Sequence, residues 1–361
     1  MINSVYIHIP FCTNICSYCH FTKFTYDCVW VDNYLTSLEH EIKENYRGDL
    51  IKTLYIGGGT PSSLNLKQLE KLMMITNIFK VSNDLEFTIE VNPESVTKEK
   101  LLLLKEYNVN RISMGVETTH SKFLTYLKRN HDFNLVKEKI SLIKELGFSN
   151  INVDLMYAIK NENLDDLKID IKNLLDLKVN HISTYSLMIE DHTFLRHEEP
   201  IAEELDREMY DFICQELTKN GYNHYEISNF SRSGYESRHN LVYWNNDKYY
   251  GFGISASGYI DNYRYTNTSS YSSYLKGNYT KEREDLSKKD ILFYALILGF
   301  RKIKGINKQE FKKKYQIDIL DIPVIKKLIE ENKLINDLEN IYVSYDKIYI
   351  ENSILIEFVG V

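Results

Sequence analysis

The sequence predicts an α/β fold: a partial (β/α)6 barrel of the TIM type followed by a small winged-helix-like C-terminal domain. Three observations carry that expectation. Short β-branched or aromatic runs alternate with longer amphipathic segments, the signature of βα units and a parallel sheet. The runs end on polar or soft residues, as strands of a parallel barrel do when their C-terminal ends build a site. After Asp285 the alternation gives way to helices and then to a period of two.

The predicted strands, in order, are Val5–Ile9, Thr53–Gly57, Leu85–Val91, Arg111–Val116, Ile151–Tyr157 and His181–Ile189. Helical spacing of apolar residues fills Leu66 to Phe79, Asn134 to Leu146 and Leu164 to Leu177, and a further helix is expected near Glu203–Asn220. Ser228 to Tyr279 is rich in Tyr, Asn, Ser and Gly without a period, so it reads as loops and short strands laid over the scaffold. DILFYALILGFRKI, FKKKY and VIKKLIEENKLI read as three helices, and NIYVSYDKIYIENSILIEFV as a closing hairpin. The expected organisation is a barrel core over 1–225, an aromatic-rich covering segment over 226–284 and the C-terminal domain over 285–361.

With 361 residues, 43% of them apolar, 26% charged and a net charge of −7, the chain has the makeup of an ordinary globular protein. No global basic field draws it to nucleic acid, and Lys312-Lys313-Lys314 reads as a solvated helix face. The N-terminus shows no export signal and no apolar run reaches the ~18 residues of a membrane helix. A cytoplasmic location is expected. Five cysteines, three of them crowded together, fit a metal or redox site in a reducing compartment better than a disulfide framework.

Those three are Cys12, Cys16 and Cys19 in FCTNICSYCHF. Thiolates bind soft metals, and three from one loop hold three corners of a [4Fe–4S] cluster, leaving one iron open to a ligand that is not protein. Zinc would need a fourth ligand, and His20, next to Cys19, is poorly placed to converge with its own neighbour on one ion. Cys28 and Cys214 have no partner spacing and read as buried thiols.

A second signal is YIGGGTPSSL, Tyr55 to Leu64, where three glycines let backbone amides approach a ligand. It has neither the Lys-Ser/Thr of a Walker loop nor the GxGxxG spacing of a dinucleotide site. By position, the cysteines follow the first strand and the glycines the second. Glu90 ends the third, Glu117 follows the fourth, Asp154 lies late in the fifth and Met188 late in the sixth. All six are expected at one mouth.

CxxxCxYC after YIHIPF, together with GGGTP, resembles the radical SAM superfamily, and the likeness to its coproporphyrinogen-oxidase-like branch runs through nearly the whole chain. The resemblance implies that the open iron is chelated by S-adenosylmethionine (SAM). A fourth cysteine there would block it. It further implies that Tyr6 and Tyr18 flank the cluster and SAM, that Gly58, Gly59 and Thr60 hold its methionine part, and that Glu90, Arg129 and Asp154 make the remaining SAM contacts, with Met188 in the same shell. Glu117 stands where the family usually has glutamine, and Ala158-Ile159-Lys160 where it has Gly-Leu-Pro. An ionised carboxylate accepts but cannot donate, so the Glu117 contact is altered.

Two subfamilies remain. The oxygen-independent coproporphyrinogen III oxidases carry a further cysteine where Phe21 stands, and a long N-terminal segment, whereas eleven residues precede Cys12 here. The HemW-type heme chaperones share the HNxxYW pattern of RHNLVYWN, Arg238 to Asn245. That resemblance makes His239 the expected heme ligand, with Tyr243 and Trp244 as flanking rings, and implies heme as cargo and a hemoprotein, membrane-bound or not, as client. His20 stands where the carriers have Asp, and Ser257 where they have His. His20 is thus either a further heme or iron contact or a tolerated surface change.

Overall fold

The computed structural model describes residues 2–360; Met1, first residue of the expected signal-free N-terminus, and Val361 lie outside it. The six expected strands form as β1 (Ser4–Ile9), β2 (Ile51–Gly58), β3 (Val81–Val91), β4 (Arg111–Glu117), β5 (Asn150–Tyr157) and β6 (His181–Ser186), in sequential parallel order. All six C-terminal ends therefore share one mouth. An antiparallel hairpin of β7 (Asn223–Glu226) and β8 (Asn229–Ser231) closes one edge of the sheet, β8 pairing with β6. On the other edge lies β9 (Tyr250–Phe252), a seventh parallel strand beside β1.

β9 comes from the segment expected to cover the barrel. Its three residues are too short to show a period of two, and their position is fixed by Tyr250, Gly251 and Phe252 pairing with Val5, Tyr6 and Ile7. The Gly251 N–H also donates to the Tyr265 hydroxyl at 3.0 Å, and a Cβ at Gly251 would stand 1.9 Å from the Ser257 carbonyl oxygen. β9 is thus locked against β10 (Ser257–Ile260), which with β11 (Tyr263–Asn267) and β12 (Thr280–Asp285) forms an antiparallel three-stranded sheet.

The outer helices are α1 (Cys28–Asn45), α2 (Leu66–Thr76), α3 (Lys98–Glu106), α4 (Ser121–Tyr126), α5 (Phe133–Glu145), α6 (Leu164–Asp176) and α7 (Glu203–Lys219). Several of their starts have a local cause. Asp27 caps α1, Asn65 and Gln68 form a capping box on α2, and Asn163 with Asp166 forms another on α6. Buried Val31, Leu35, Leu38 and Ile42 on α1 repeat at three and four residues and turn one face to the sheet.

HNxxYW forms a helix, α8 (Arg238–Trp244), lodged at the N-terminal end of the barrel, opposite the mouth. Glu86, early in β3, accepts the Arg238 and His239 N–H groups at 3.0 and 2.9 Å. A carboxylate on a helix N-terminus satisfies orphan donors and complements the helix dipole. At the other end the Lys314 ammonium donates to the Asn245 and Asn246 carbonyls at 2.9 and 3.1 Å. The last lysine of the Lys312–Lys314 run thus clamps α8, and Lys312 pairs with Asp318.

Past α9 (Tyr271–Leu275), the C-terminal domain comprises α10 (Lys288–Gly299), α11 (Lys308–Tyr315), α12 (Pro323–Glu330) and a small sheet. In it β13 (Ile306–Asn307) and β14 (Leu334–Asn336) flank β15 (Asn340–Val343). The hairpin is therefore 334–343, and the second half of the expected one is helical: a 3-10 turn at Tyr345–Ile350 leads into α13 (Glu351–Leu355). Ile348, Ile354, Leu355 and Phe358 are buried, and Phe358 stacks on Phe300 of the domain core. A register of two would have turned Leu355 to the face opposite Ile348, Ile354 and Phe358. Among the described residues, no helix is long and apolar enough to cross a membrane.

Candidate functional site

The cysteine loop is closed at its neck and stitched to the rim. Phe11–Cys12 pairs in parallel with Phe24–Thr25, and the Tyr26 N–H donates to the Cys12 carbonyl at 2.8 Å. From the loop's middle, the Ser17 N–H donates to the Leu127 carbonyl at 3.0 Å, its hydroxyl to the Tyr126 carbonyl at 2.9 Å, and Asn14 to the Lys128 carbonyl. Cys12 is buried; Cys16 and Cys19 are half-buried. Thr60 Oγ1 lies 3.6 Å from Cys12 Sγ and Arg129 Nη1 3.5 Å from Cys16 Sγ.

Burial pushes the Cys12 thiol up to about 11, and the nearness of Cys19 and Cys16 adds to it; Cys19 is raised by burial as well. Such thiols stay protonated at neutral pH unless a metal takes their protons' place. Among the described residues, no three His, Cys, Asp or Glu side chains come close enough to share one metal ion. Cys16 still lies near enough to raise the thiols of Cys12 and Cys19, and Cys19 near enough to raise that of Cys12, as three corners of one iron–sulfur cluster require. The three thiols, with donors from Thr60 and Arg129, fit a [4Fe–4S] cluster.

The glycine turn sits beside the loop because no side chain could. A Cβ on Gly59 would lie 2.8 Å from the Phe11 carbonyl oxygen and 2.9 Å from the Ile9 one, while its own N–H donates to the Ile9 carbonyl at 2.8 Å. Gly58 takes φ +114 with His8 directly beneath it. Glu90 supports the turn from below, accepting the Gly58 N–H at 3.0 Å and the Tyr55 hydroxyl at 2.8 Å. Glu90 thus braces the turn as well as facing the mouth. Tyr6 lies in the same layer, its hydroxyl 2.9 Å from His8 Nδ1.

Three acids converge on the space above. Burial, and then the charges of Glu117 and Glu90, raise Asp154 to about 7; burial likewise raises Glu90. Asn152 donates to Asp154 at 2.8 Å. Glu117, buried with φ +66, stands 3.8 Å from Arg129, and burial, then the Glu117 charge, raises the Tyr18 hydroxyl. Arg129 donates to Asn92 Oδ1 at 2.9 Å and to the Gly115 carbonyl at 2.6 Å, but its buried Nε has no partner. An acid-rich cavity with one unfilled guanidinium donor and a bare glycine wall fits the cationic sulfonium and ammonium and the carboxylate of SAM.

Two expectations are corrected. Met188 does not end a strand: β6 stops at Ser186, and Met188 lies in the following segment with 68% of its surface exposed. His239 does not face the mouth. Its ring is buried, stacked 5.1 Å from Tyr55, with Nδ1 2.9 Å from Thr53 Oγ1 and Nε2 2.8 Å from the Tyr243 hydroxyl. Burial, then the nearby Arg111 charge, lowers it to about 3. With both nitrogens engaged, it could reach an iron only if the Thr53 or Tyr243 hydroxyl gave way. Replacing His239 by alanine is expected to orphan Thr53 and Tyr243 and cost about 1–3 kcal/mol of stability, seen in urea unfolding, while hemin affinity stays as in the wild type. Loss of hemin binding without loss of stability would reinstate it as a ligand.

Cys28, expected to be buried, is exposed at the start of α1; Cys214 is buried. Asn92 and His8 were missed. Asn92 bridges Thr60 and Arg129, donating to Thr60 Oγ1 at 3.1 Å, and its place just past β3 was the available signal. His8 ties Tyr6 to the Thr22 carbonyl at 3.2 Å, and no signal marked it.

The sequence model of the Radical SAM superfamily matches residues 6–174. Over 99% of the chain it is 37% identical to a heme chaperone HemW of Lactococcus lactis, covering 97% of that protein. A heme chaperone HemW of Bacillus subtilis is 38% identical over 99% of both. Among solved structures, the radical SAM enzyme coproporphyrinogen III oxidase HemN of Escherichia coli matches with a TM-score of 0.87, 99% of this chain and 90% of that one, at 21% identity. At that identity the likeness shows the fold.

Proposed function

The chain belongs to the HemW family of heme chaperones within the radical SAM superfamily, and from that premise we propose that it binds heme and passes it to client hemoproteins in the cytoplasm or at the membrane. The observation that carries the reading is whole-length similarity to heme chaperones. Phe21, standing where a further cysteine would mark the oxidase, agrees with it.

In this reading Cys12, Cys16 and Cys19 would hold the [4Fe–4S] cluster, which when bound would supply one-electron reducing chemistry toward SAM. Thr60 and Arg129 donate toward the thiolates and damp their charge. Gly58 and Gly59 leave room for the methionine part, braced through Glu90 and Tyr55. Glu117 and Asp154 line the cavity, and a bound cation favours the ionised form of Asp154. Tyr18, packed against Leu187 and Leu195, helps wall the cavity from water.

Heme-loaded, cluster-reconstituted protein mixed anaerobically with an excess of an apo-hemoprotein is expected to lose its heme to the acceptor faster than free hemin is taken up from buffer. In parallel, coproporphyrinogen III with SAM and a strong reductant is expected to keep its mass. Two successive losses of CO2 with matching 5′-deoxyadenosine would instead make the protein an oxidase.

A further inference from the structure

Independently of the cargo, we infer that the floor of the barrel is an anion site: Arg111, with Thr88 and Asn150 beside it, holds one small planar oxyanion of the carboxylate or bicarbonate type. Arg111 opens β4 and is 2% exposed. Its Nε has no partner, and among the described residues its guanidinium donates no hydrogen bond and joins no ion pair. Every other arginine does one or the other. A bare buried charge is among the most costly things a fold can carry, so a group from outside the chain is needed to complete it.

Ladder register places it. Thr88 and Asn150 are its direct neighbours on β3 and β5, and Tyr55 on β2 is the neighbour of Thr88. Neighbours in a parallel ladder share a face and successive side chains alternate, so these four face the interior together with Glu90 and Asp154, further along the same strands. Ile112 and Ile151, one residue on, turn outward into the core under the helices. Thr88 Oγ1 and Asn150 Oδ1 are buried and likewise have no partner. A guanidinium, a hydroxyl and an amide, which donates when its NH2 is turned inward, thus stand open on three adjoining strands of one layer.

The carboxylates of the interior are engaged elsewhere. Glu86 accepts the Arg238 and His239 N–H groups, Glu90 accepts the Gly58 N–H and the Tyr55 hydroxyl, and neither pairs with Arg111. The imidazoles supply no counter-charge: burial, then the Arg111 charge, lowers His239 to about 3 and His181 well below its ordinary value. Above the layer there is room. Tyr6, Tyr55, Glu90 and Asp154 keep part of their surface open and Tyr185 keeps 43%, where a closed barrel would be filled by layers of side chains. At Arg111 the opening narrows to 2% of its surface, which admits a group of a few atoms and not a ring. A guanidinium offers two parallel donors to a planar oxyanion, and water alone would leave the charge unneutralised.

The test takes full-length protein, with and without the reconstituted cluster, in a bulky sulfonate buffer. It follows the urea midpoint against sodium formate and, separately, sodium bicarbonate at constant ionic strength. The wild type is expected to gain stability saturably, as linkage to an anion bound only by the folded chain requires. The stronger of the two responses tells an organic carboxylate from an inorganic occupant. Arg111→Met should lose the response and, in buffer without either anion, be no less stable than the wild type, because the bare charge is gone. Thr88→Val keeps the side chain's shape and should need roughly 10-fold more anion, the worth of one hydrogen bond to a charged group. An anion held at the mouth by Arg129 or the open iron would keep its effect in Arg111→Met; that result, or a wild type indifferent to both anions, overturns the site. An indifferent wild type beside a markedly less stable Arg111→Met makes Arg111 the counter-charge of Glu86 and Glu90 instead. Should Arg111→Met fail to fold, Thr88→Val decides, and an unchanged anion requirement there overturns the site.

Discussion

Serine at Cys16 is expected to abolish the iron–sulfur absorbance and bring bound iron to background, and serine at Cys12 or Cys19 to do the same. The oxygen of serine is a hard, poorly acidic ligand for an iron that takes soft thiolate. The loop has no spare: the remaining thiols are Cys28, exposed on α1, and Cys214, buried on α7. Arg129, donating to Cys16 Sγ at 3.5 Å and facing Glu117 at 3.8 Å, would keep its acid partner, so the barrel itself should stay folded. Cys28→Ser is the control and should retain full iron. Iron and sulfide analysis of anaerobically reconstituted protein decides. Full iron in Cys16→Ser, or its loss in Cys28→Ser, would refute the assignment.

Alanine at Gly59 should cost about 1–3 kcal/mol of stability through overpacking and weaken SAM binding severely. The added methyl meets backbone on every side: the Phe11 and Ile9 carbonyl oxygens and the Phe11 nitrogen, all within 2.9 Å. Backbone cannot rotate away as a side chain can. Relief requires the glycine turn to part from the strand that leads into Cys12, breaking the Gly59–Ile9 and Thr60–Phe11 hydrogen bonds of 2.8 and 2.9 Å. Cofactor wall and cysteine loop would then shift together. Gly234→Ala, with nothing within 4 Å of its Cβ, strains only its own φ of +83 and should bind SAM normally. Equilibrium dialysis of SAM with reconstituted protein, beside urea unfolding, separates the two; wild-type SAM affinity in Gly59→Ala would show that the turn does not carry the cofactor.

Much of the site was legible because its residues follow strands. A parallel barrel sends every strand's C-terminal end to one mouth, so Cys12, Gly58, Glu90, Glu117 and Asp154 could be gathered by counting strands. Met188 escaped that logic. His181-Ile182-Ser183-Thr184-Tyr185-Ser186 is strand, but the apolar residues after it belong to a segment that leaves the sheet to pack on Tyr18. Hydrophobicity alone does not say whether a residue continues a ladder or leaves it.

His239 shows the other limit. HNxxYW carries the same letters whether its histidine meets iron or a threonine hydroxyl. Only the chain's return placed α8 under the barrel, with Glu86 on its N-terminus and Lys314 on its C-terminus. The sequence by itself determined the strands, the order of the βα units and the three thiols, since these depend on local periodicity, glycine and side-chain chemistry. The tertiary structure alone decided that β9 completes the sheet, that His239 is sealed inside and that His20 stands free. Each of those depends on partners far away in the chain, and burial and hydrogen bonding to distant groups leave no local pattern to read.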